Sequence, residues 1–442
     1  MKGFSSVGVA SEQAVLLEAA QAAVDRHPQA LFSDFQWFLF EAKDAVYFTA
    51  FSKLAFDKDT IGNVVAEMVA LAPQLTHGFV GARPGQPFPK HLLDAITDIQ
   101  LVDSFDGYPD KWLGHSQDIF ERTDLPLFRV QAAVLRGGPD AEGRASVLQV
   151  RASHALLEGA DSALLTRSQS AAHGMGSDQK KRIGIAARAF NMVQAQLLAW
   201  TYIALANLLA PNEKPWGFRT LAIKRHRLRL LANRLGVRQR SLYFALVTYA
   251  LNGDGPTKHM SKRVIGAAYT LLDDRRSTDA DDGFLRVKAL QAKFRVSDDF
   301  VEFVRAIDDT VGKLELKDVS KFMVLMGSVM KTLRGLNAMW KGLPGKRFMR
   351  FNMGIEIALT LVPPHRTYGP MTHGMVEPLY CGAWHPGQNI CTFCPGREYI
   401  TMNFSMEGRH IANVGKIMPL LERIEAMDFA PTGRKVVEDE AA

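Results

Sequence analysis

Along residues 147–165 the chain reads VLQVRASHALLEGADSALL, and its opening positions alternate. Leu148, Val150, Ala152 and His154 fall on one side of an extended segment, with Gln149, Arg151 and Ser153 on the other. A period of two is the signature of a half-buried strand, so the spacing predicts a strand whose apolar face carries His154 at its end. Glu158 and Gly159 then mark a turn, and the Ser/Ala/Leu-rich run after them predicts a helix.

The same reading extends in both directions. Residues 128–135 and 145–153 predict a hairpin joined by the Gly/Pro/Asp-rich stretch 137–143. Residues 50–56 read as a strand, and 60–71 as an amphipathic helix with Val64, Val65, Met68 and Val69 on its buried side. Pro215 to Gly217 breaks the pattern, and a second half begins. It reads as a strand at 220–225, helices at 228–235 and 242–251, and a buried strand at 264–272. Helices follow at 300–314 and 321–343, then an apolar strand at 354–364, a second hairpin at 389–394 and 398–406, and a last helix at 413–427. Strands and helices interleave throughout, which predicts an α/β class with mixed sheets.

One segment stands apart. Residues 189–211, AFNMVQAQLLAWTYIALANLLAP, carry no formal charge and would just span a bilayer by length. Asn191, Gln194, Gln196 and Asn207 lower the hydrophobic density below that of a confident span. A buried or surface-docked amphipathic helix is the expectation, with partial membrane insertion and then a true span as the alternatives.

At 442 residues the chain exceeds the usual size of a single core, so two subdomains are expected. The segmentation reads as 1–180, a connecting helix over 181–215, a second subdomain over 216–430, and a polar, disordered tail over 431–442. A net charge of +7 favours anionic partners, a phosphorylated co-substrate or an acidic membrane surface. The basic residues are spread along the chain and no nucleic-acid motif appears, so nucleic acid is not expected as a partner. The N-terminal MKGFSSVGVASEQ lacks a long apolar core, so export is not expected and a cytoplasmic location is.

Three cysteines, Cys381, Cys391 and Cys394, are too few for a disulfide framework. Cys391 and Cys394 are spaced as a Cys-x-x-Cys, but on a strand positions three apart face opposite sides, so no metal pair is expected. His365, His373 and His385 lie beside Pro or Gly, without ligand spacing toward one another, and read as loop histidines. No metal site is expected. His154, at the end of an inward-facing strand, is placed to touch a substrate without being lost in the core, which suits a general base.

The string Ser153-His154-Ala155-Leu156-Leu157-Glu158-Gly159 resembles the His-His-x-x-x-Asp-Gly motif of the wax ester synthase/diacylglycerol acyltransferase family, within the chloramphenicol acetyltransferase and condensation-domain group. Asp124-Leu125-Pro126-Leu127-Phe128, Leu235-Gly236-Val237 and Pro378-Leu379-Tyr380 resemble further family features in the same order. Ser153 replaces the first family histidine, Glu158 the aspartate, and Arg240-Ser241 a later Asn-Asp pair. The resemblance implies two chloramphenicol-acetyltransferase-like subdomains forming a central channel. It implies transfer of an acyl group, fatty acyl by preference, from acyl-CoA to an alcohol, lipid or amine acceptor, with no permanently bound cofactor. His154 would be the base, the backbone of Gly159 an oxyanion donor, and Glu158 the residue that holds the turn. Two alternatives stay open: a non-catalytic lipid- or carrier-binding protein, and a condensation-type enzyme fed by an acyl carrier protein.

Overall fold

The computed structural model describes residues 39–40, 43–71, 75, 94–113, 118–120, 127–156, scattered helical positions between 190 and 208, 215–251, 264–272, 287–297, 299–315, 329, 332–336, 339, 357–362, 374–385 and 388–427. Glu158, Gly159, His365 and His373 lie outside them, as do the tail over 431–442 and the N-terminal residues before Leu39.

Among the described residues the strands are β1 (Ala45–Ser52), β2 (Thr97–Val102), β3 (Phe128–Leu135), β4 (Ser146–Ser153), β5 (Trp216–Lys224), β6 (Val264–Leu272), β7 (Val287–Arg295), β8 (Ile357–Leu361), β9 (Met375–Trp384), β10 (Ile390–Pro395) and β11 (Tyr399–Glu407). They build two mixed sheets, ordered β2-β3-β4-β1-β9 and β5-β11-β10-β8-β6-β7. Both predicted hairpins are present as antiparallel pairs, β3 with β4 and β10 with β11.

Three expectations need correction. The strand expected at 50–56 lies earlier, over Ala45–Ser52, because the aromatic run Tyr47, Phe48 and Phe51 supplies the buried positions and the chain leaves the sheet after Ser52. β4 is not half-buried: Gln149, Arg151 and Ser153, the polar side of its alternation, are as buried as Leu148 and Val150. The strand sits between β3 and β1 with both faces covered, and Gln149 Nε2 donates to Thr49 Oγ1 across the ladder at 3.1 Å. The last helix is two, Gly408–Val414 and Ile417–Glu425.

Each sheet has its own core. In the first, Phe48, Ala50, Val130, Leu148 and Val150 pack under the helix Lys58–Leu71, whose Ile61, Val64, Val65 and Met68 face them at helical spacing. In the second, the helix Gln239–Leu251 is buried from Ser241 through Leu251 against Phe393, Met402 and Phe404. The helix Arg225–Leu235 covers it with Leu228, Leu231, Ala232 and Leu235. That helix stops at Gly236, whose φ of 67° is one that glycine adopts without strain, and Val237 N–H then caps Ala232 O at 3.1 Å.

Strand β9 joins the two sheets. It comes late in the chain yet pairs antiparallel with β1, the first strand. Its other contacts reach the second sheet: the Glu377 carboxylate accepts the N–H groups of Arg397, Glu398 and Tyr399 in the β10–β11 turn, at 2.7, 2.8 and 3.1 Å. Thr401 on β11 donates its hydroxyl to Leu379 O at 2.6 Å. Whatever stands at the end of β9 is therefore fixed by both sheets.

Candidate functional site

The pairing register of three adjacent strands builds the site. Ala45, the first residue of β1, stands opposite Ser153, the last of β4, and opposite Trp384, the last of β9. One step beyond each lie Asp44, His154 and His385. Directly opposed residues of antiparallel strands share a face of the sheet, so this register places the three side chains in a row with the carboxylate in the middle. A backbone bond from His154 N–H to Asp44 O, 2.9 Å, carries the ladder past the last strand residues.

The side chains meet as the register requires. His154 Nδ1 lies 3.5 Å from Asp44 Oδ2, and His385 Nδ1 pairs with the same oxygen. The two rings stand edge to face, their centroids 5.3 Å apart at 65°. Asp44 is wholly buried, whereas the His154 and His385 side chains keep 21% and 15% of their surface. The base candidate is thus not walled off from solvent. Burial pushes the Asp44 carboxyl up, but the positive charge available on His385 and His154, with their hydrogen bonds, outweighs it and holds the group below its ordinary 3.8. The carboxylate is therefore ionised, and an imidazole beside it places its Nδ1 proton toward the carboxylate. An imidazole so protonated carries its lone pair on Nε2, the tautomer a base needs.

Of the residues expected at the site, the structure places His154 there; Glu158 and Gly159 fall outside the described residues. Ser153, where the family motif has its first histidine, is fully buried, and its hydroxyl accepts the Ala155 N–H at 3.3 Å. Sequence reasoning missed Asp44 altogether and left His385 as a loop histidine. His385 does stand just past its strand, but beside Asp44. The only local signal was an acid directly before one apolar run and a histidine directly after another.

Asp44, His154 and His385 each offer one donor atom to a metal, all within 4.8 Å of one another. The Cys-x-x-Cys does not: Cys391 packs into the second core and Cys394 into the first, and burial pushes both thiols well up. None of the three cysteines is in a disulfide.

No family model and no curated protein matches the chain. Solved structures do. The trichothecene 15-O-acetyltransferase of Fusarium sporotrichioides is similar at a TM-score of 0.54 and 11% identity, over 87% of this chain and 91% of that one. The first condensation domain of the CDA synthetase is similar at 0.50 and 13%, over 91% and 97%. The wax ester synthase/diacylglycerol acyltransferase of Marinobacter aquaeolei VT8 is similar at 0.47 and 16%, over 87% and 92%. The two-subdomain fold of the chloramphenicol acetyltransferase and condensation-domain group is the one this chain adopts.

Proposed function

We propose that a protein with this acyltransferase-type fold transfers an acyl group from a thioester, acyl-CoA, directly to a hydroxyl or amine, with His154 as general base. The observation that carries the reading is the pairing of the partly open His154 imidazole with the buried Asp44 carboxylate. Nε2 takes the proton of the acceptor as its oxygen or nitrogen attacks the thioester carbonyl. The tetrahedral adduct collapses, the C–S bond breaks, and the imidazolium returns the proton to the leaving thiolate. Asp44 stabilises the imidazolium between the two transfers and is a positioning residue. No acyl-enzyme forms and no resident cofactor is used. By the resemblance alone we assign Glu158 to positioning and the Gly159 N–H to the oxyanion; both lie outside the described residues.

The acceptor side of the reading is lipid. The described residues of the 189–211 segment are helical and largely exposed, with Trp200 52% and Leu208 80% exposed and Phe190, Val193 and Leu197 exposed as well. Among the described residues no helix is long and apolar enough to cross a membrane. Exposed apolar side chains in an uncharged segment of a basic protein suit shallow docking on an anionic lipid surface, on the cytoplasmic face of the membrane.

The test is free-thiol release from a panel of acyl-CoAs of increasing chain length, with and without alcohol, monoacylglycerol and amine acceptors. Acceptor-dependent thiol release is the expected result. Binding of acyl-CoA without release would mean a carrier protein, and release only from an acylated carrier protein would mean a condensation-type donor.

A further inference from the structure

Three side chains of metal-ligand type stand together at one end of the first sheet, each one residue past a strand whose pairing fixes it. Asp44, His154 and His385 sit at three consecutive strand ends whose register is set by Ala45 opposite Ser153 and Trp384. Their donor atoms converge within 4.8 Å. Two imidazoles and a carboxylate favour zinc, cobalt or iron(II) over magnesium or calcium, which prefer all-oxygen shells. Asp44 is a buried negative charge, and a dication compensates it. Both imidazoles keep some solvent exposure, which gives an ion a way in and a fourth position for water.

We infer that Asp44, His154 and His385 bind a divalent transition-metal ion of the zinc class, and that its binding switches the transferase off. The second half rests on His154 being the base. A neutral imidazole has one lone pair to offer. With Asp44 accepting the Nδ1 proton, that pair is on Nε2 and faces the acceptor. When a metal takes Nδ1, the proton resides on Nε2 and the base is gone. Metal binding and acyl transfer therefore compete for one ring.

The experiment uses the full chain dialysed against chelator. It is titrated with Co2+, read by visible absorption, and with Zn2+ against a chromogenic chelator, and thiol release is assayed with and without Zn2+. One equivalent of metal, a four-coordinate Co2+ spectrum, and loss of activity that chelator reverses are expected. Changes in groups around a ligand already cost 10–100-fold in affinity, so His385→Ala, which removes a ligand, weakens Zn2+ by at least about 100-fold. His385→Gln, with unchanged circular dichroism, serves as the second variant should the alanine fail to fold. Stoichiometric binding absent from a protein that transfers acyl groups would overturn the metal site and leave the transferase standing. Binding that stimulates transfer, or leaves it unchanged, would overturn the switch. Binding in a protein without transferase activity would keep the site and reject the base.

Discussion

Two acids with reduced exposure, Asp44 and Asp110, are driven in opposite directions by their neighbours. Asp44 is held down by two imidazoles. Asp110 is pushed above 3.8 by burial, against the Thr220 hydroxyl that donates to its Oδ1 at 2.7 Å and the more distant charge of Arg219. A carboxyl whose value is raised by folding favours the native state at low pH, and that advantage is lost as the pH climbs through the raised value. Asp110→Asn keeps an oxygen for Thr220 and removes the charge. It should raise the melting midpoint at neutral pH, with the gain closing below pH 3.8; a gain independent of pH, or a loss, would contradict the assignment. At this scale the sequence pointed to His154, because alternation and its motif are local. It did not show Asp44 or His385, because what joins them to His154 is strand register between residues more than a hundred positions apart, and a single sequence does not reveal register.

Among the elements, those with strong periodicity were legible. The helix at Lys58–Leu71 and strand β6 stand where the pattern put them. β9 was not read as a strand: Gly382 interrupts it, and it holds a glycine because a Cβ there would collide with the ring of Tyr47 on β1. The reason lies across the sheet, not along the chain. Within 189–211 the described residues are helical, and their exposed apolar members make a specific demand. Trp200→Glu with Leu197→Glu should reduce co-sedimentation with anionic vesicles by about tenfold or more, since two apolar side chains worth about 1.5–3 kcal/mol each when buried are lost from the interface. Transfer to a water-soluble acceptor should be untouched. Equal sedimentation of the variant would remove the docking surface.

For the molecule as a whole, the α/β class with mixed sheets was readable from interleaved strand and helix patterns. The exchange of β9 was not. That strand leaves the second half to complete the first sheet, and with it His385 arrives beside the residues at the ends of β1 and β4. The site is therefore assembled from three distant parts of the chain, and folding of both halves precedes its chemistry. The most direct test of the account is the turnover of His154→Gln in the thiol-release assay, with circular dichroism to show an intact fold. General-base catalysis contributes roughly 100- to 10,000-fold, so turnover should fall by about that factor while the fold stays intact. Near-normal turnover by a folded His154→Gln protein would contradict it.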